Sequence, residues 1–100
     1  MLSATDRTHA VWFDDLKIGE RFRTQSTTVA ESSIIEFANR FDPQAIHKDP
    51  TAAGQSLFCG LVASGWHTAA LTMKLMVEAP LLGSTYLVGV EVDRVRFVEP

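Results

Sequence analysis

A chain of 100 residues is one domain at most, and its 46% hydrophobic content places it far from the disordered regime. Net charge is −3 and the longest run of like sign is Asp14–Asp15, so no lysine- or arginine-rich face exists to support binding of nucleic acid. Cys59 is the single cysteine, which rules out an internal disulfide or a paired-thiolate metal site; within its apolar run it is expected to be buried as a small hydrophobe.

The N-terminal stretch "MLSATDRTHAVWF" lacks the basic start and continuous apolar core of a signal peptide, and a reducing cytoplasm is the expected setting. "WFDDLKIGERF" reads as a loop with Gly19 as its turn residue and a solvated acidic pair. "ERFRTQSTTV" alternates and is β-branched, which predicts a strand. Thr28 and Glu31 have capping-box spacing, and Ile34, Phe37, Ala38 and Phe41 repeat along one helical face. Pro43 has no N–H and disfavours helical backbone at Asp42, so this helix should end near Phe41.

Asp49–Pro50 is a second start signal, an acidic N-cap followed by proline, predicting a short helix over 51–55. "LFCGLVASG" is glycine-punctuated and expected to be loop. From Ser64 or Gly65 to Glu78 runs a helix that Pro80 must stop. It is apolar on most sides, as befits a helix wrapped by other structure. No charged side chain occurs between Thr51 and Met73, the length of a membrane span. Yet Gln55, Ser56, Ser64, His67, Thr68, Thr72 and interspersed glycines make the stretch too polar to cross lipid, and no membrane association is expected. "STYLVGVEV" and "RVRFVEP" read as one or two strands.

The order predicts an α+β domain, a sheet curled round one helix. Too few strands are present to cover that helix, so either a second copy or residues beyond Pro100 are expected to complete the core.

Chemistry concentrates in "FDPQAIHKD". Asp42, His47 and Asp49, with His67 further on, are possible metal ligands, but their spacing fits no zinc pattern, and no metal is expected. As an acid/base pair, Asp42 and His47 could share one water, take a proton from it and deliver a proton to carbon. The alternative is that Asp42 caps a turn while His47 fills a polar crevice. "ASGW" adds a glycine at the start of a buried helix, where a free N–H could face a developing oxyanion. Here too a plain reading exists, with Ser64 as N-cap and Gly65 permitting close approach.

"FDPQAIHKDPTAAGQSLFCGLVASGWHTAAL" resembles the hydratase signature of the MaoC-like dehydratases, the family of (R)-specific enoyl-CoA hydratases. Asp42, His47 and Asp49 match its first motif in spacing; Phe58, Gly60, Ala63 and Gly65 match the second. About thirty residues carry the specific match, counted over the quoted segment. The resemblance implies a hot-dog fold, an antiparallel sheet wrapped around a long central helix, and pairing as a homodimer or higher homo-oligomer. It implies hydration of a trans-2-enoyl-CoA, or dehydration of a 3-hydroxyacyl-CoA, with the coenzyme A thioester as substrate and no cofactor. By the same resemblance Asp42 and His47 activate water, the Gly65 N–H polarises the thioester carbonyl, and Phe58, Gly60, Ser64 and Trp66 contact substrate.

Departures are Gln44 for the usual asparagine, Ala45 for proline, and Ser64 and Trp66 around the glycine. A family serine on the central helix falls near Met73, so a helper hydrogen bond to the pair is expected to be missing. A non-catalytic acyl-thioester-binding domain and an acyl-CoA thioesterase are the competing readings.

Overall fold

Helices account for all the regular structure among the residues that the computed structural model describes, which are 11–79, 83, 86 and 88–100. They are α1 (Glu31–Phe41), α2 (Ala45–Lys48), α3 (Pro50–Gly54) and α4 (Gly65–Glu78), preceded by a 3-10 turn at Phe13–Asp15. The chain divides into two units, Met1–Ser26 with Thr72–Arg94, and Thr27–Leu71 with Val95–Pro100; α4 has residues in both.

In the second unit, α1 ends as its sequence dictates. The Asp42 N–H makes a last bond to Ala38 O at 2.9 Å, and Asp42 then leaves the helix with φ −153° and ψ 72°. Proline at 43 blocks continuation. The helical start differs from expectation: Ala30 is the N-cap and no side chain caps it, so the Thr28–Glu31 box does not form. The box requires its hydroxyl at the N-cap itself, and Thr28 stands two residues too early.

After Pro43 the chain folds into α2, a single helical turn where the sequence suggested only loop. Asp49 ends α2 and begins α3, its carboxylate accepting from the amides of Thr51 (3.0 Å) and Ala52 (3.3 Å). Pro50 occupies the first helical position, as the start signal predicts. The α2 turn packs against both α1 and α3. Ala38 and Ala53 are wholly buried, small enough to let these short elements approach.

The segment 55–64 is loop; the loop expected over 57–64 forms, and Gln55, expected in the short helix, is its C-cap instead. Cys59 is exposed rather than buried. Its φ is +56°, and its amide closes a turn on Ser56 O, so the thiol is presented outward instead of joining a packed face.

In the first unit the 12–20 segment is the expected loop. The Trp12 N–H donates to Asp15 Oδ2 at 2.9 Å, and Gly19 takes φ +84°, the left-handed turn geometry that glycine suits. Val11 and Ala79 are buried.

Helix α4 begins at Gly65 and stops at Glu78, the span predicted; Pro80, assigned as its stop, lies outside the described residues. The helix is not enclosed as its all-round apolarity suggested: Trp66, Met73 and Val77 are exposed. The reason is visible in its surroundings. Among the described residues no strand forms, neither over 20–29 nor over 88–100, so no sheet covers this helix. Residues 84, 85 and 87 of the predicted "STYLVGVEV" strand, and residues 1–10 of the N-terminal stretch, lie outside the described set. No helix among the described residues is long and apolar enough to cross a membrane.

Candidate active site

All groups of the candidate site belong to the second unit. The break after α1 delivers Asp42, the α2 turn delivers His47, and the loop entering α4 delivers Val62, Ser64 and Gly65. A backbone bond from Val62 N–H to Ile46 O (3.1 Å) ties that loop to the α2 turn. Residues far apart in sequence are thereby brought to one place.

His47 is buried, with Nδ1 2.7 Å from Val62 O. A carbonyl only accepts, so Nδ1 carries hydrogen, and in the neutral ring Nε2 presents a lone pair. That nitrogen lies 3.3 Å from Asp42 Oδ2. With a protonated ring the two make a direct ion pair; with a neutral ring both are acceptors that a single donor such as water would satisfy.

Both oxygens of Asp42 are engaged. Ser64 Oγ donates to Oδ2 at 2.6 Å and Gln44 Nε2 donates to Oδ1 at 2.7 Å. These bonds favour the anion. The Ser64 hydroxyl foremost, then the Gln44 amide, hold the carboxyl below its ordinary value of 3.8; partial burial opposes them, and His47 adds a smaller pull downward.

The helper bond expected to be missing is therefore present. It comes from Ser64, immediately before the helix, and not from a serine within α4. Met73 bears on this no further, because the loop residue already reaches the carboxylate. Sequence spacing does flag Ser64, but as a cap or substrate contact. Its carbonyl does accept the first helical bond, from Thr68 N–H at 3.1 Å, while its hydroxyl turns to Asp42.

A cavity of about 300 Å³ opens beside His47, with walls that include His47, Phe58, Val62, Gly65, Thr68 and Phe97 but not Asp42. Gly65 opens α4, so its amide has no intrahelical acceptor and sits at the positive end of the helix. A Cβ at this position would come within 2.7–3.0 Å of the Phe97 ring, so the ring lies directly against the glycine.

Of the other residues singled out, Phe58 lines the cavity, whereas Gly60, Ser64 and Trp66 are not among its walls. Trp66 is 68% exposed, and Ser64 is 1% exposed and given to Asp42. The Asp49 carboxylate is occupied as the α3 cap. His67 is buried and stacked on Phe37 with ring centroids 4.7 Å apart.

Comparison with known proteins places the chain in a family. The family described as "MaoC like domain" matches residues 15–100. The uncharacterized protein YdeM of Bacillus subtilis (strain 168) is 37% identical over 87 residues, which cover 87% of this chain and 62% of that protein. The crystal structure of the MaoC-like dehydratase from Rhodospirillum rubrum is similar with a TM-score of 0.65 at 50% identity, over 68% of this chain and 47% of that one. This chain thus spans about half to three-fifths of the length of these relatives. The chain belongs to the MaoC-like domain family.

Proposed function

We propose that this domain serves a hydratase/dehydratase, adding water across the double bond of a trans-2-enoyl-CoA or removing it from a 3-hydroxyacyl-CoA. The observation that carries the reading is the approach of His47 Nε2 to Asp42 Oδ2, 3.3 Å apart, with His47 and Gly65 lining one cavity. The Rhodospirillum relative is called a dehydratase, which agrees.

In this reading the bridging water is held by Asp42 and deprotonated by His47 as its oxygen bonds to C3. The π electrons move towards the thioester carbonyl, and the Gly65 N–H stabilises the charge that grows on that oxygen. The proton held by His47 then passes to C2. Water is consumed as hydroxyl on one carbon and hydrogen on the other, and the thioester stays whole. The full hot-dog sheet around α4, and a homodimer that encloses it, complete the proposed assembly; enclosure would also dry the Gly65 amide and strengthen its effect.

The test is turnover of crotonyl-CoA, followed by loss of the conjugated-thioester absorbance. Asp42→Asn and His47→Ala should each lower turnover by about a hundredfold or more, as expected for groups engaged in proton transfer. Unchanged rates in both variants reject the assignment.

A further inference from the structure

We propose that Ser64 is a positioning residue for this reaction, and that Val62–Gly65 form one strip setting the water-holding pair against the thioester-holding amide; this rests on the hydratase reading above. Three consecutive functions lie along the strip. The Val62 carbonyl orients His47 through Nδ1 at 2.7 Å, the Ser64 hydroxyl orients Asp42 through Oδ2 at 2.6 Å, and Gly65 starts the helix. The strip is itself fixed at both ends, by Val62 N–H to Ile46 O and by Ser64 O accepting from Thr68 N–H.

Ser64 is the largest fully buried side chain among the described residues, so its hydroxyl has no water to turn to. With Ser64 on Oδ2 and Gln44 on Oδ1, rotation of the carboxylate would break a bond at each oxygen. The remaining acceptor capacity of Oδ2 is left for the water shared with His47. A serine that simply filled space would not need to meet the oxygen that faces the imidazole. This one does. The chemical consequence is that the residue holding the carboxylate and the residue offering the polarising amide are chain neighbours, Ser64 and Gly65.

The experiment compares the unaltered protein with Ser64→Ala and Ser64→Thr, reading hydration of crotonyl-CoA and the carboxyl-carbon NMR titration of Asp42. Loss of the hydroxyl should lower kcat by about tenfold to a hundredfold, the scale of small misplacements of reacting groups, with KM little changed. The Asp42 titration should move upward in Ser64→Ala, and Ser64→Thr should restore both readouts towards those of the unaltered protein. Normal kcat in Ser64→Ala with an unmoved Asp42 titration overturns the role of Ser64 while leaving hydration intact. Absence of hydration by the unaltered protein instead overturns the hydratase reading, and the positioning role with it. Should Ser64→Ala fail to fold, Gln44→Ala decides: with that amide gone, an Asp42 titration still below its ordinary value of 3.8 supports the serine as the donor that holds it, and titration at or above that value overturns the inference.

Discussion

Asp42 is held by donors of unequal consequence, and the difference is measurable. The Ser64 hydroxyl is buried, whereas Gln44 is exposed and competes with water. Gln44→Ala should therefore reduce turnover less than Ser64→Ala, by about severalfold, because solvent can replace its amide at Oδ1. A larger loss in Gln44→Ala than in Ser64→Ala would show that Oδ1, not Oδ2, governs the site. The direction of the Asp42 shift also fixes a pH dependence. Its folded carboxyl lies below the ordinary 3.8, so the stability its charge contributes is present above that value and is lost as pH falls through the lowered value. Unfolding by urea across pH should show a constant difference between unaltered protein and Asp42→Asn above the ordinary carboxylate range, shrinking only below it. Gly65→Ala makes a separate point. The Phe97 ring that a methyl would strike is 54% exposed and able to swing aside, so stability should change by less than about 1 kcal/mol while turnover falls by about tenfold or more through crowding at the amide. What the sequence disclosed at this scale was residue type and spacing, enough to single out Asp42, His47 and Gly65. It did not disclose that Ser64 would spend its hydroxyl on Asp42, because a serine before a helix has an equally ordinary use as a cap.

Helix boundaries follow local chemistry where that chemistry is unambiguous. Asp49 followed by Pro50 starts α3, and Asp49→Ala should destabilise the protein by about 1 kcal/mol through loss of the bonds to Thr51 and Ala52, read from denaturant unfolding. Helix α1 offers the converse. Ala30 caps it without any side-chain bond, so Ala30→Asp should raise stability by about 0.5–1 kcal/mol if the new carboxylate reaches the free amides. No gain would mean that those amides are already satisfied in solution. Thr28 and Glu31 have the right spacing for a box but the wrong register, since the register depends on where the preceding chain permits the first turn. The α2 turn was illegible for a different reason: four residues, Ala45–Lys48, are too few to show periodicity, and the turn is held by packing against α1 and α3.

At the scale of the molecule, alternating valines announce faces that require partners. Val88, Val90, Val92, Val95 and Val98 are all exposed, as are Trp66, Met73 and Val77 on α4. Strand pattern can be read from one chain, but a ladder needs a neighbouring strand, and among the described residues none is paired. Exposed apolar side chains in each unit predict association in water. Sedimentation should show a homodimer or larger assembly; a strictly monomeric species across a wide concentration range would count against enclosure of α4 by a second copy. The central claim, however, is chemical, and the most direct measurement follows the oxygen of water. With crotonyl-CoA in water enriched in heavy oxygen, mass spectrometry should find the label in a hydroxyl at C3 of an intact CoA thioester. Label in a free carboxylate with release of CoA thiol, or no incorporation at all, would contradict the account.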